Sequence, residues 1–176
     1  LNVDEAGFVE AWDAVLSPLL ARQQPGVTVL RDYHAENIMI LNQAGVAEGE
    51  QGLIDFQDAL VGHPAYDLVS LLQDARRDVA PTLERAMLDR YISAANAGED
   101  FEADYAVLGA QRNAKIVGIF TRLCKRDGKP KYLDYIPRVW ALMERDLLHP
   151  ALSPVADWFD ANIPDEIRRS GGGTIA

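Results

Sequence analysis

Asp32, Asn37 and Asp55 are the residues of this chain whose types and spacing best suit chemistry. Asp32 and Asn37 lie in VLRDYHAENIMIL, residues 29–41, where Arg31, Asp32, His34, Glu36 and Asn37 interrupt an apolar run. The middle of a strand avoids such charge. A loop set between two short strands can hold it, and chemistry often sits on such loops. Asp55 closes the next apolar stretch, LID (53–55). A hard divalent cation takes oxygen ligands such as an Asp carboxylate, an Asn carbonyl oxygen and phosphate oxygens. A carboxylate left off the metal can accept a proton from an attacking hydroxyl. Phosphoryl transfer needs this combination, because its demands are charge neutralisation and in-line positioning. Taken one at a time, Asp32 and Asn37 are turn and capping residues and Asp55 is a strand-end carboxylate.

The elements that must position these groups are legible from periodicity. VTVL (27–30), IMIL (38–41) and LID read as short strands of one small sheet, with QQPG (23–26) as a turn and residues 42–52 as a turn-rich connection. Phe8, Trp12, Val15, Leu16 and Leu19 recur at helical spacing, and Pro18 is expected to kink or end that helix. From Pro64 the pattern is helical. Leu68, Leu71, Leu72, Ala75 and Val79 form one expected stripe, and 81–98 a helix opened by Pro81 and stopped at Gly98. Residues 101–125 form a longer helix ended by Gly128, with IVGIF (116–120) expected to be buried on most sides. Ile136, Val139, Trp140, Met143 and Leu147 mark a further helix, ALSPVADWFDANI (151–163) a last short one, and the segment after it a mobile tail. The expected class is α+β, with a few short strands carrying the polar loop and a mostly helical body after them.

Composition narrows the functions. With 176 residues and 48% hydrophobic content the chain suffices for one core. A net charge of −10 argues against general nucleic-acid or anionic-membrane binding. The single cysteine, Cys124, excludes an intrachain disulfide framework. It reads as a small core residue rather than a nucleophile, because no base stands near it in sequence. No apolar run reaches membrane-spanning length and no signal peptide is visible, so a cytoplasmic location is expected. The chain starts at Leu1 rather than Met, which reads as a fragment or a processed chain.

In the order D-x4-N followed by I-D-F, the three oxygen-bearing residues match the kinase pattern of a catalytic-loop Asp, an Asn ligand and a second metal-binding Asp. LRDYHAEN (30–37), LIDFQDA (53–59) and GHPAYDLVSLLQD (62–74) together resemble the aminoglycoside phosphotransferase and choline kinase family of small-molecule kinases with a protein-kinase-like fold. QRNAKIVGIFTRLCKRDGKP (111–130) and YIPRVWALMERDL (135–147) look most like a bacterial branch, similar to the anomeric kinases of N-acetylmuramate and N-acetylglucosamine. The resemblance covers nearly the whole chain as a C-terminal lobe: residues 1–165 are the lobe and 166–176 the tail. It implies an ATP- and Mg²⁺-dependent transfer to a hydroxyl of a small molecule, an amino sugar or an aminoglycoside. By resemblance Asp32 is the base, Asn37 and Asp55 hold Mg²⁺, and Asp67 braces the catalytic loop or caps a helix.

Two departures stand out. Leu30 occupies the place of the family's usual His, which bears on loop bracing. Neither a Gly-rich phosphate loop nor a strand Lys precedes Asp32, so the N-terminal nucleotide-clamping lobe is expected to be missing from this chain. Such a chain alone is expected to be inactive, with self-association at the lobe face thereby exposed. His34 touches substrate or packs within the loop. Asp74 faces a substrate hydroxyl or is a solvated helix charge. Gln111, with Lys115 and Arg122, lines a substrate pocket or a solvent edge. The rivals are a non-catalytic binding module that keeps the fold and a Mg²⁺-dependent phosphohydrolase.

Overall fold

The structure, a computed structural model, describes residues 2–23, 25–41 and 50–169. Most of the expected 42–52 connection, Gln24 of the expected turn, and residues 170–176 of the expected tail lie outside the described residues. The chain divides into two compact units, residues 23–97 in one and 1–22 with 98–176 in the other.

The 23–97 unit holds all four described strands, as two separate antiparallel ribbons rather than one small sheet. β1 (Val27–Val29) pairs with β4 (Leu60–Gly62), and β2 (Ile38–Ile40) with β3 (Gln51–Leu53). Sequence reading missed β4, whose residues 60–62 are only three and end in glycine. The third strand stops at Leu53, so Asp55 stands beyond it, because Asp55 takes a left-handed φ of 59° that no ladder accepts. α2 (Ala65–Leu72) is shorter than the expected stripe and ends where Gln73 leaves helical geometry. The pattern continued to Val79, but the backbone turned first, and Ala65, Val69 and Ser70 are the most buried residues of the helix. α3 (Pro81–Ala95) starts on proline as expected, but stops at Asn96, whose left-handed φ of 49° closes it two residues before Gly98. Asparagine tolerates that conformation because its short side chain bonds locally.

The second unit is helical. α1 (Glu5–Arg22) packs on α6 (Ser153–Asn162), and α4 (Phe101–Asp127) on α5 (Ile136–Asp146). Pro18 neither ends nor bounds α1. Leu19, 1% exposed, pins the turn that contains it, and Arg22 anchors the last turn on Asp104 and, at 3.6 Å, on Asp100. The hydrogen bond to Asp104 raises the Arg22 guanidinium pKa further above its ordinary value. Phe8 stacks edge-on against Trp158 at 4.8 Å, and Trp140 meets Phe159 at 6.0 Å. On α5 the expected stripe of Ile136, Val139, Trp140, Met143 and Leu147 is buried throughout. Gly128, at φ 63°, ends α4 as expected. IVGIF is less enclosed than expected: Phe120 is buried, Gly118 is exposed, and the other three are half-buried. The heavily buried part of α4 is its first half. Cys124 is half-buried. The expected boundary at 166 falls inside α7 (Asp165–Arg169), where Arg168 donates to both oxygens of Glu144 and to Asp160. Among the described residues no helix is long and apolar enough to cross a membrane.

Candidate active site

Asp32, His34, Asn37, Asp55, Asp67 and Asp74 all belong to the 23–97 unit. The loop from β1 to β2 is built by its own backbone. Asp32 N–H donates to the Leu30 carbonyl at 2.9 Å, closing a three-residue turn on Arg31, whose φ is 71°. Turns of this hand are rare and strained. A non-glycine residue held there costs on the order of 1–3 kcal/mol and needs its surroundings to hold it. Asp67 does so by accepting the N–H groups of Leu30 at 2.7 Å and Arg31 at 2.9 Å. It sits in the first turn of α2, where Pro64 holds the cap position, so Asp67 is not the cap. Because it grips backbone N–H groups, the side chain at position 30 does not enter this brace.

Beyond Asp32 the loop closes on itself. His34 N–H donates to the Asp32 carbonyl at 3.0 Å, and Asn37 N–H to the His34 carbonyl at 2.9 Å. Residues 35–37 form a single 3-10 turn leading into β2. The Asn37 amide nitrogen donates to the Asp32 carbonyl at 2.9 Å, which ties down the nitrogen and leaves the side-chain oxygen as the group offered outward. Asp32 itself is exposed. Pairing of Ile38 with Leu53, and the Ile54 N–H bond to the Asn37 carbonyl at 3.1 Å, bring Asn37 and Asp55 to the same end of the second ribbon. Asp55 is exposed, and Gln57 donates to one of its oxygens.

The donor chemistry fits Mg²⁺. Asn37 and Asp55 supply oxygen only, and a cation that keeps waters and takes substrate phosphates needs no more protein ligands than one or two. Among the described residues no group of three or more His, Cys, Asp or Glu could hold a metal by itself.

The expected substrate residues fall in both units. His34 is buried, its Nε2 lies 3.5 Å from the Asn37 amide nitrogen, and its Nδ1 has no partner. Asp74 is not a solvated helix charge. α2 ends two residues earlier, and Asp74 is 3% exposed, one oxygen accepting the Arg76 N–H at 2.9 Å and the other buried without a partner. Gln111 lies in the other unit, where with Lys115 it borders a cavity of about 340 Å³ walled mainly by Phe8, Val9, Trp12 and Leu16 of α1. The two His-Pro histidines do local work: the Nδ1 atoms of His63 and His149 accept the N–H groups of Ala65 and Ala151, each at 3.2 Å.

Three features escaped the sequence reading. One is the left-handed Arg31. Another is the Arg76–Glu36 ion pair, 3.8 Å long, which reaches the loop from beyond α2. The third is Ser70, whose hydroxyl donates to the Arg31 carbonyl at 3.2 Å. Its signal was present, since it stands three residues after Asp67 and so on the same helix edge.

This geometry, a carboxylate on a braced loop beside an Asn and an Asp at one ribbon end, suits transfer of a phosphoryl group. The sequence profile of the phosphotransferase enzyme family matches residues 2–108. The chain belongs to that family. Its relatives include an N-acetylmuramate/N-acetylglucosamine kinase of Caulobacter vibrioides, 44% identical over 96% of this chain and 47% of the relative. A protein of the same description from Pseudomonas aeruginosa is 40% identical over 80% of this chain and 43% of its own length. One from Neisseria meningitidis is 40% identical over 76% and 40%. This phosphotransferase-family chain thus spans less than half the length of the curated relatives it matches.

Proposed function

We propose that the chain is the C-terminal lobe of a small-molecule kinase that moves the γ-phosphate of ATP to a hydroxyl of an amino sugar. The observation that carries this reading is the braced loop that holds Asp32 and Asn37 and meets Asp55 at one ribbon end. The relatives' description supports the amino sugar over an aminoglycoside. Asp32, exposed on the loop, takes the proton of the attacking hydroxyl. Asn37 and Asp55 would hold Mg²⁺, which when bound neutralises charge on the nucleotide phosphates. His34 and Asp74 are the proposed contacts to the acceptor, and the orphaned polar atom on each supports that role.

The remaining length of the relatives would carry the nucleotide-clamping lobe. Ile40, 71% exposed, Val61, 67% exposed, and Phe56 lie on or beside the ribbons and supply an apolar surface for it. Without that cover the surface favours self-association. A cytoplasmic setting supplies the ATP.

The test incubates the protein at its relatives' length with Mg²⁺–ATP and N-acetylmuramate, N-acetylglucosamine or a panel of aminoglycosides. ADP formation that depends on an amino sugar, with phosphate on a sugar oxygen by ³¹P NMR, is expected. Phosphate release without any acceptor would replace this reading with a phosphohydrolase. Sugar binding without turnover would replace it with a binding module.

A further inference from the structure

The residue before the proposed base is gripped at both ends. Arg31 is left-handed, and its turn is closed by the Asp32 N–H bond to the Leu30 carbonyl. Asp67 takes the N–H of Arg31 and that of Leu30, which fixes the two peptide planes upstream. The plane that matters for aim is the next one, because it joins the Arg31 carbonyl to the Asp32 N–H. Outside the turn itself, Ser70 is, among the described residues, the group bonded to that plane, donating its hydroxyl proton to the Arg31 carbonyl at 3.2 Å. Ser70 is fully buried, at 0% exposure, on the same edge of α2 as Asp67. The torsions on either side of this plane, ψ of Arg31 and φ of Asp32, set the direction of the Asp32 Cα–Cβ bond, so a plane released from Ser70 lets those torsions drift and the carboxylate with them.

We propose that Ser70 is a positioning residue for phosphoryl transfer, holding the Arg31–Asp32 peptide plane so that the Asp32 carboxylate stays aimed at the acceptor hydroxyl. The proposal rests on the role given to Asp32 above. Asp67 and Ser70 then form a two-point clamp, one on the donor and one on the acceptor of a single strained residue. A carbonyl released from its partner turns toward water, and reacting groups misplaced by about 1 Å can cost on the order of 10²-fold in rate.

Ser70→Ala removes the hydroxyl and leaves the shape of the buried site nearly intact, so the variant should fold. In the phosphotransferase assay kcat is expected to fall about tenfold, with the KM values for ATP and for the sugar within about twofold, since neither ligand touches Ser70. A variant with lowered thermal stability but unchanged kcat would make Ser70 merely structural and overturn the proposal. The second measurement does not depend on the reaction. Amide exchange by NMR should quicken at Asp32 roughly tenfold, as for loss of one hydrogen bond of ordinary net strength, while Val69 and Leu72 on the same helix keep their rates. Unchanged exchange at Asp32 would overturn the clamp even in a protein that transfers no phosphate, which separates its failure from failure of the kinase reading. Faster exchange at Asp32 with unchanged kcat would overturn the positioning role.

Discussion

Two glycines of α4 should respond to the same substitution with opposite signs. A Cβ built on Gly109 meets the Asp146 carboxylate, with one oxygen at 2.5 Å and the carboxylate carbon at 2.9 Å. That carboxylate is buried and accepts from the Asn113 amide at 3.3 Å, so it cannot swing into solvent. At Gly118 an added Cβ meets nothing within 4 Å, and the position is exposed. Alanine gains about 1 kcal/mol over glycine in a helix interior. At Gly118 nothing opposes that gain, so Gly118→Ala should stabilise by about 0.5–1 kcal/mol. At Gly109 the gain is set against about 1–3 kcal/mol for forcing extra volume into a packed site. Displacing the hydrogen-bonded carboxylate costs about 1.5–3 kcal/mol more. The sum favours glycine, and Gly109→Ala should destabilise by about 1.5–5 kcal/mol. For a chain of this size 1 kcal/mol moves Tm by about 2–4 °C. Calorimetry should therefore find Gly118→Ala above the parent and Gly109→Ala below it by several degrees. The sites lie about 13 Å apart along the helix at its ordinary rise, so the double variant should fall near the sum. A Gly109→Ala protein as stable as the parent would refute the reasoning, because Asp146 would then be free to move.

Replacing Asp32 by asparagine should lower transfer by about 10² to 10⁴-fold while ATP affinity changes little, and comparable turnover in a single-turnover assay would remove Asp32 from the mechanism. Asp55→Ala should weaken Mg²⁺–ATP binding as well as turnover, since it deletes a proposed metal ligand; equal affinities by calorimetric titration would contradict that role. Residues 1–176 alone should unfold cooperatively by circular dichroism yet show no acceptor-dependent ATP use, and robust turnover would mean that no second lobe is needed. Arg168→Ala should unpin α7 from Glu144 and Asp160 and cost about 1–3 kcal/mol; an unchanged urea midpoint would show that these ion pairs contribute nothing net.

The sequence by itself carried the order of elements and the polar loop. Asp32 and Asn37 five residues apart between apolar runs, Asp55 after the next run, and Asp67 near the start of a helix are local patterns, written in residue type and spacing. The α5 stripe and the Gly128 stop were legible for the same reason, since a helix period and a left-handed glycine act within one turn. Tertiary structure decided where elements stopped and what the loop leaned on. α2 ended at Leu72 although its apolar period ran on, which put Asp74 in a buried turn rather than on a helix edge. α1 continued through Pro18 because Leu19 is buried and Arg22 is held by acidic groups some eighty residues away, which outweighs one lost backbone bond. The strain on Arg31 was invisible for a like reason. A left-handed arginine is unfavourable by itself and persists because Asp67 and Ser70, far along the chain, hold its N–H and its carbonyl. Local propensity sets what a segment prefers, and contacts distant in sequence set which of those preferences the fold overrules.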